Sequence, residues 1–421
     1  MNNFNNLFIK SIRMDYGLSS VAIAKAIDIS PTTLNRIEKC QTPCSKEIFS
    51  HVLKHFSELI PDFKFFDDHE AKNIVYSELK IWLQKYVDYS FEENLLEFKS
   101  FLEGTFLRYS PAYFEVKLLD CFYEFLSQRT YNGILSFDVD IDLLQSVIPD
   151  EFLYLAETLR GIANHTFIRN FETAKLNYVN AYKYGLATGN LALSAMGQYH
   201  LIMINLATMN HLEALPLFDS CSATFQKVGA YRRLVILDTY KATCYQNLGL
   251  YDEAIEILKT IETKTPQIEV PYIRMSINEN LMWLYLKKSC FDESLKCIEL
   301  ARDYSSVFPD LSLAAAWDIY NLRSPEECLQ TINKEVSLLS DDKRSSFVKS
   351  VLELMKSAIE GCEEELELQY QNIKRILPIF KNVAADPIIY SFMIDFYERK
   401  QDYRSAYLLT KELTNFLANQ E

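Results

Sequence analysis

Four segments of the chain share one spacing, and that spacing leaves few folds open. FETAKLNYVNAY begins at residue 171, HLEALPLFDSC at 211, YDEAIEILKTI at 251 and FDESLKCIELA at 291. Their small residues Ala174, Ala214, Ala254 and Ser294 each follow the last by forty positions. Each opens a helical pattern, and another helical stretch precedes each. A unit recurring at fixed register cannot bury its apolar face alone. Stacked neighbours bury it together, which predicts a solenoid. More than 300 residues after about position 60 carry no convincing strand, and 10 Gly and 12 Pro punctuate the whole of 421 residues. Such sparse punctuation fits long helices joined by short turns.

The unit resembles the tetratricopeptide repeat, most plainly over 238–266. There Ala242, Tyr245, Gly249, Tyr251, Ala254 and Pro266 fall on that repeat's small, aromatic, turn and terminal-proline positions. Ordinary repeats of this type run about 34 residues, so these have longer helices or loops. Looser versions follow the theme at 90 (SFEENLLEFKSFL), 324 (SPEECLQTI), 363 (EEELELQYQNI) and 402 (DYRSAYLLTKEL). About seven to nine helical hairpins are expected from the repeat length.

The first sixty residues are of another kind. Phe4, Leu7, Phe8 and Ile12 keep helical spacing, and Tyr16-Gly17 ends that helix. Leu18–Lys39 then reads as two short helices about a turn at Asp28-Ile29. Ser19 caps the first, which runs through Val21, Ile23, Ala24 and Ile27; Ser30 caps the second, with Pro31 at its first position. Leu34 and Ile37 face inward, which leaves Thr32, Thr33, Asn35 and Arg36 outside. After the loop CQTPC, Ile48, Val52, Leu53 and Phe56 mark a further helix.

Residues 4–56 resemble the Xre/Cro-type helix-turn-helix of phage-repressor-like regulators, on Arg13, Gly17-Leu18-Ser19, Ala24, Ile29-Ser30, Ile37-Glu38-Lys39 and Pro43. Three positions depart: Ser20 stands for the usual Gln, Asp28 for the turn Gly, and Cys40 for the Gly after the second helix. Asp tolerates the left-handed conformation, so the turn survives. Thr32, Thr33 and Asn35 are expected at base edges, with Ser30 beside them. Ser20, Lys25, Arg36 and Lys39 are expected on phosphates.

Charge divides along the same line. Residues 1–60 hold seven Lys/Arg against five Asp/Glu, a balance of +2, whereas the chain as a whole carries −14. A mildly basic head on an acidic body fits a small DNA reader joined to something that does not touch DNA. The N-terminus shows no signal peptide, and no apolar run reaches the roughly 18–20 residues of a membrane span. Nine scattered cysteines without a C-x-x-C read as reduced thiols in a cytoplasmic protein. No metal and no cofactor is expected. His51 and His55 are four apart but lack a third ligand, and Glu363-Glu364-Glu365 reads as a solvated face. With no H-E-x-x-H, G-x-S-x-G or phosphate-binding glycine loop, the chain is not read as an enzyme.

The fold class expected is therefore all-α: a helix-turn-helix domain at 1–60, a linker at 61–72, and a right-handed α-solenoid of tetratricopeptide-like hairpins at 73–421. The concave face of such an array is lined by the first helix of each pair and is its usual binding surface. The forty-residue register places Arg160, Asn164, Tyr199, His200, Met203, Tyr240, Thr243, Asn247, Asn280 and Trp283 there. Asn side chains suit the backbone of an extended peptide, which needs both donor and acceptor.

In domain order, length and repeat type the chain resembles the RRNPP family (Rgg, Rap, NprR, PlcR and PrgX) of Gram-positive quorum-sensing receptors. That resemblance implies a cytoplasmic homodimeric transcription regulator. A short signalling peptide in the groove would change the solenoid and re-space two heads on double-stranded DNA. Two alternatives share the fold: a scaffold that sequesters a regulator protein, and a phage arbitrium-type peptide receptor. The hairpins after about 324, where the register is lost, are the expected dimer surface, because a terminal repeat must cover its apolar face.

Overall fold

A computed structural model describes residues 3–418, except 69, 104, 129, 138–140, 146, 265–270, 303–308 and 377–384. The described residues are all-α, with no strand among them. The chain divides into two compact units, Met1–Leu234 and Val235–Glu421.

The first unit opens with α1 (Phe4–Asp15), α2 (Ser20–Ala26), α3 (Pro31–Glu38) and α4 (Lys46–Leu59). Three of these begin at a serine whose hydroxyl accepts a main-chain N–H three residues on: Ser19 from Ala22, Ser30 from Thr33 and Ser45 from Ile48. Those caps satisfy donors that a helix start otherwise leaves to solvent. Asp28 makes the α2–α3 turn at φ +58°, and Cys40 ends α3 at φ +56°, so both stand-ins for glycine adopt the left-handed conformation. Phe8, Ile23, Ala24, Leu34, Ile37, Val52 and Phe56, drawn from all four helices, are fully buried. Val21, counted on the apolar run of α2, is exposed instead. A seven-residue helix has one buried face, and Ile23, Ala24 and Ile27 occupy it.

The segment after α4 packs. Phe63 is buried edge-on to Phe56 and against Tyr109, and Phe65 lies against Phe8 and Phe49. Phe66 donates its N–H to the Tyr109 carbonyl at 2.8 Å. Next come α5 (Glu70–Val87), α6 (Leu95–Leu102), α7 (Thr105–Arg108), α8 (Tyr113–Gln128), α9 (Asn132–Ser136) and α10 (Ile141–Leu144). Hairpins follow: α11 (Asp150–Ala163) with α12 (Phe171–Ala187), α13 (Leu191–Ala207) with α14 (His211–Val228), then α15 (Tyr231–Asn247), inside which the two units divide. Gly161 of α11 is where the first hairpin closes tightest. A Cβ there would stand 2.5 Å from the Tyr178 ring, so only glycine admits that ring.

The second unit continues with α16 (Tyr251–Lys264), α17 (Pro271–Lys287), α18 (Phe291–Arg302), α19 (Pro309–Leu322), α20 (Pro325–Leu338), α21 (Lys343–Glu360), α22 (Glu363–Ile376), α23 (Ala385–Arg399) and α24 (Tyr403–Ala418). Helix α19 shows how a stacked array buries both sides of a helix: Leu311, Ala314 and Ala315 join one core, Leu313 and Ala316 the next.

The forty-residue register is physical. The helices α12, α14, α16 and α18 begin at Phe171, His211, Tyr251 and Phe291. Ala174, Ala214, Ala254 and Ser294 are all fully buried, as are Tyr178, Phe218, Leu258 and Ile298 one helical turn on. The turn before each of these helices is also shared. Arg169, Met209, Gly249 and Ser289 all take positive φ, between +56° and +76°. Pro266, the terminal proline of the repeat pattern, lies outside the described residues.

Candidate functional site

In the head, α3 presents Thr32, Asn35 and Arg36 to solvent, with Lys39 exposed at its end and Lys25 exposed on α2. Thr32 and Arg36 share one row of the helix and Asn35 and Lys39 the next. Ser30 and Thr33 serve the helix itself, since their hydroxyls lie 2.8 Å apart and close the cap of α3. Ser20 is half-buried in the first turn of α2.

The exposed face is held from behind. Arg13 of α1 forks onto buried Glu38 at the end of α3, Nε to Oε1 at 2.6 Å and a terminal nitrogen to Oε2 at 2.9 Å. Buried Asn6 donates its amide to the carbonyls of Ile37 and Thr42 and accepts from Cys44 N–H through its oxygen. Bidentate, charge-assisted contacts of this kind set geometry as well as energy. Arg13 and Glu38 were legible as pattern positions; their mutual fork and the role of Asn6 were not.

The end of α1 is clasped by α8. Asp15 accepts from Tyr113 Oη at 2.6 Å and from Lys117 Nζ at 2.8 and 2.9 Å, and the hydroxyls of Tyr16 and Tyr109 meet directly. Burial and the Asp15 carboxylate push the Tyr113 phenol far up, so it stays a donor. Nearby, Glu115 of α8 is buried with Lys72 Nζ at 3.3 Å, and burial lifts its carboxyl to about 7.

In the repeats of the first unit, Arg160 and Asn164 stand half-exposed at the end of α11. Arg160 donates to the Phe137 carbonyl at 3.2 Å. Asn164 donates to the Arg160 carbonyl and to Asn177, whose own amide donates to buried Glu157 at 2.7 Å. Asn164 also opens a five-residue π-helical turn to Ile168, which leaves Phe167 and Ile168 exposed. No sequence signal marks that turn. Met203 is half-buried on α13.

Tyr199 and His200 are placed inside the first unit, 4% and 1% exposed. His200 stacks on Tyr178 at 5.1 Å and meets Tyr86 Oη through Nε2 at 3.1 Å. Burial and neighbouring Arg233 hold its imidazole near 3, so it is neutral. Arg233 is the residue most easily overlooked in the sequence. Its guanidinium is buried between the rings of Tyr86, Tyr89 and Tyr199, 4.9–5.2 Å from each centroid. It donates to the carbonyls of Tyr86 and Val87 at the end of α5, and Arg232 donates to Tyr89. A cation at the negative end of a helix, flanked by aromatic faces, is doubly favoured.

In the second unit, Tyr240, Thr243 and Asn247 follow one face of α15, and Asn280 and Trp283 one face of α17; all five are half-buried. Thr243 and Asn280 bond back to carbonyls of their own helices. Trp283 packs on the core of that unit. The Asn247 amide makes no hydrogen bond to the described residues and offers both donor and acceptor. Among the described residues no group of three or more His, Cys, Asp or Glu could hold a metal ion. No described helix is long and apolar enough to cross a membrane.

A capped pair of short helices ahead of stacked helical hairpins defines a helical-repeat protein. No protein-family model and no curated protein sequence matches the chain. Solved structures do match its fold. The apo form of the quorum sensor NprR from B. thuringiensis superposes with a TM-score of 0.65 at 14% identity, over 82% of this chain and 99% of that one. A Rap protein complexed with Competence and Sporulation Factor gives 0.57 at 13% identity, over 83% and 100%. NprR in complex with its cognate peptide NprX gives 0.51 at 15% identity, over 82% and 100%. The chain thus has the all-α helical-repeat fold of these NprR and Rap structures.

Proposed function

We propose that the chain is a DNA-binding transcriptional regulator whose repeats bind a short signalling peptide. On this reading residues 1–60 are the DNA-binding head, 61–72 the connection, and 73–421 the peptide-binding and dimerisation part. The observation that carries it is the polar face of α3: Thr32, Asn35, Arg36 and Lys39 exposed together on a helix whose other face is fixed by Arg13–Glu38 and Asn6. A short capped helix aimed this way suits a major groove, its side chains suited to base edges and phosphates.

Peptide binding is supported by the fold. The NprR and Rap structures of like fold hold NprX and Competence and Sporulation Factor. Here Asn247 and Asn280 with Trp283, and Arg160 with Asn164, are the side chains offered to an extended chain, each group on the first helix of its hairpin. A homodimer is supported by α24, where Tyr403, Tyr407 and Leu408 stand half or more exposed on the last helix. All nine cysteines are free thiols, which suits work in the cytoplasm. Peptide binding would change the spacing of the paired heads through small shifts accumulated from hairpin to hairpin.

The test is fluorescence anisotropy of DNA from upstream of the protein's own coding region. Binding should fall steeply with salt and be lost in the Asn35→Ala, Arg36→Ala double variant. Salt-insensitive binding, or a double variant that binds as the parent does, sinks the reading.

A further inference from the structure

The second unit holds a cleft of about 630 Å³ among the first helices of its last three hairpins. Phe392, Asp395, Glu398 and Arg399 approach it from one face of α23, Tyr320 from α19, and Ala358 and Ile359 from the end of α21. That volume is ample for one long side chain with part of the backbone that carries it.

Two features of the lining complement each other. Tyr320 and Phe392 pack ring to ring at 4.9 Å, with Phe392 buried as the floor and Tyr320 partly open above it. Beside them the carboxylates of Asp395 and Glu398 make no ion pair and no hydrogen bond with the described residues. Arg399 is the one cation of the described lining, and its Nε donates to the Asp395 main-chain carbonyl at 3.3 Å, back along its own helix. The lining keeps an excess of negative charge against an aromatic wall. Burial and the Asp395 carboxylate together raise the Tyr320 phenol, so that carboxylate is felt at the ring.

The geometry points to this cleft as the subsite for a lysine or arginine side chain of the bound peptide, its aliphatic stem on Phe392 and Ile359 and its charge between Asp395, Glu398 and the Tyr320 ring. A cation over an aromatic face and beside unpaired carboxylates is attracted by both. The cleft rests on the peptide-receptor reading and narrows it, because it selects for positive charge where Asn247 and Asn280 select for backbone alone.

The full-length protein is incubated with a pool of random hexapeptides, and the bound fraction is separated by size exclusion and sequenced by mass spectrometry. Recovered peptides should be enriched at least tenfold in Lys or Arg at one position over the input. The Asp395→Asn, Glu398→Gln variant should recover peptides without that enrichment, and Tyr320→Ala should reduce it. Peptides recovered from the parent without cationic enrichment overturn the subsite and leave peptide binding standing. The same enrichment in the double variant also overturns it. Recovery no greater than from heat-denatured protein overturns both.

Discussion

Arg13 and Glu38 sit 25 residues apart in sequence and close the back of the head as a two-bonded fork, at 2.6 and 2.9 Å. Glu38 is almost wholly buried, and among the described residues its carboxylate is held by this fork. Removing the cation alone leaves a buried carboxylate unpaired, which costs about 3–5 kcal/mol. Arg13→Ala should therefore unfold or loosen α1–α4 at a temperature where the repeats remain helical. Arg13→Lys, which keeps charge but loses the fork, should recover only part. Circular dichroism with limited proteolysis mapped to residues 1–60 checks both; equal melting of Arg13→Ala and the parent refutes the role.

On the proposed DNA-binding reading, phosphate and base contacts of the exposed face of α3 separate by salt and by sequence. Arg36→Ala should weaken binding to all DNA alike and lower the salt slope by about one. Asn35→Ala should instead cost about 1–3 kcal/mol on the preferred site and little on others. Titrations at several salt concentrations on one specific and one scrambled duplex measure the difference.

Glu115 makes stability depend on pH. Its folded carboxyl titrates near 7, above its ordinary 4.5, because burial outweighs Lys72. A raised carboxyl adds stability while it is protonated, at low pH, and loses that contribution as pH rises through 7. Glu115→Gln should match the parent near pH 5 and exceed it at pH 8 by about 1–3 kcal/mol. His200 works in the opposite sense: held near 3, it stabilises the fold above its ordinary 6.5, and that contribution is lost progressively as pH falls from 6.5 through 3, equally in both proteins. Thermal melts of both proteins between pH 5 and 8 decide the matter. A constant difference across that range would place the cause elsewhere.

The left-handed turns predict an asymmetry. Met209 at φ +60° is held in a conformation that glycine adopts freely, whereas Gly249 at φ +76° occupies the equivalent position with open space around its Cα. Met209→Gly should raise stability by up to about 1 kcal/mol, and Gly249→Ala should lower it by about 1–2 kcal/mol. Chemical denaturation of the two variants tests the pair; changes of the same sign contradict it.

What could be read beforehand follows from what periodicity encodes. Ala174 and its three equivalents, the serine caps, Asp28 and the inward Leu34 and Ile37 are local or strictly repeated, and each lies where its spacing implied. Tyr199, His200 and Arg233 were harder. A first helix in a stacked array is packed by hairpins on both sides, so a polar residue on its nominal inner face can still be enclosed by aromatic rings. Phe63 and Phe65 sit in the stretch read as a linker, yet Phe63 packs on Phe56 and Tyr109 and Phe65 on Phe8 and Phe49. The π-helical turn at Asn164 and the clasp of Asp15 by Lys117 depend on tertiary partners that no local pattern announces.

The four left-handed turns at 169, 209, 249 and 289 bear on how such a chain can change length. One of the four is a glycine, so what recurs there is a backbone state and not a residue type. A cut or duplication of one whole period, for instance joining Gly249 to Cys290, would leave the junction with the same turn and the next helix in the same phase. Any other length would rotate every later helix off its buried face. Over the helices that begin at 171, 211, 251 and 291, a change of length in steps of forty residues therefore keeps both the turn and the phase of the next helix.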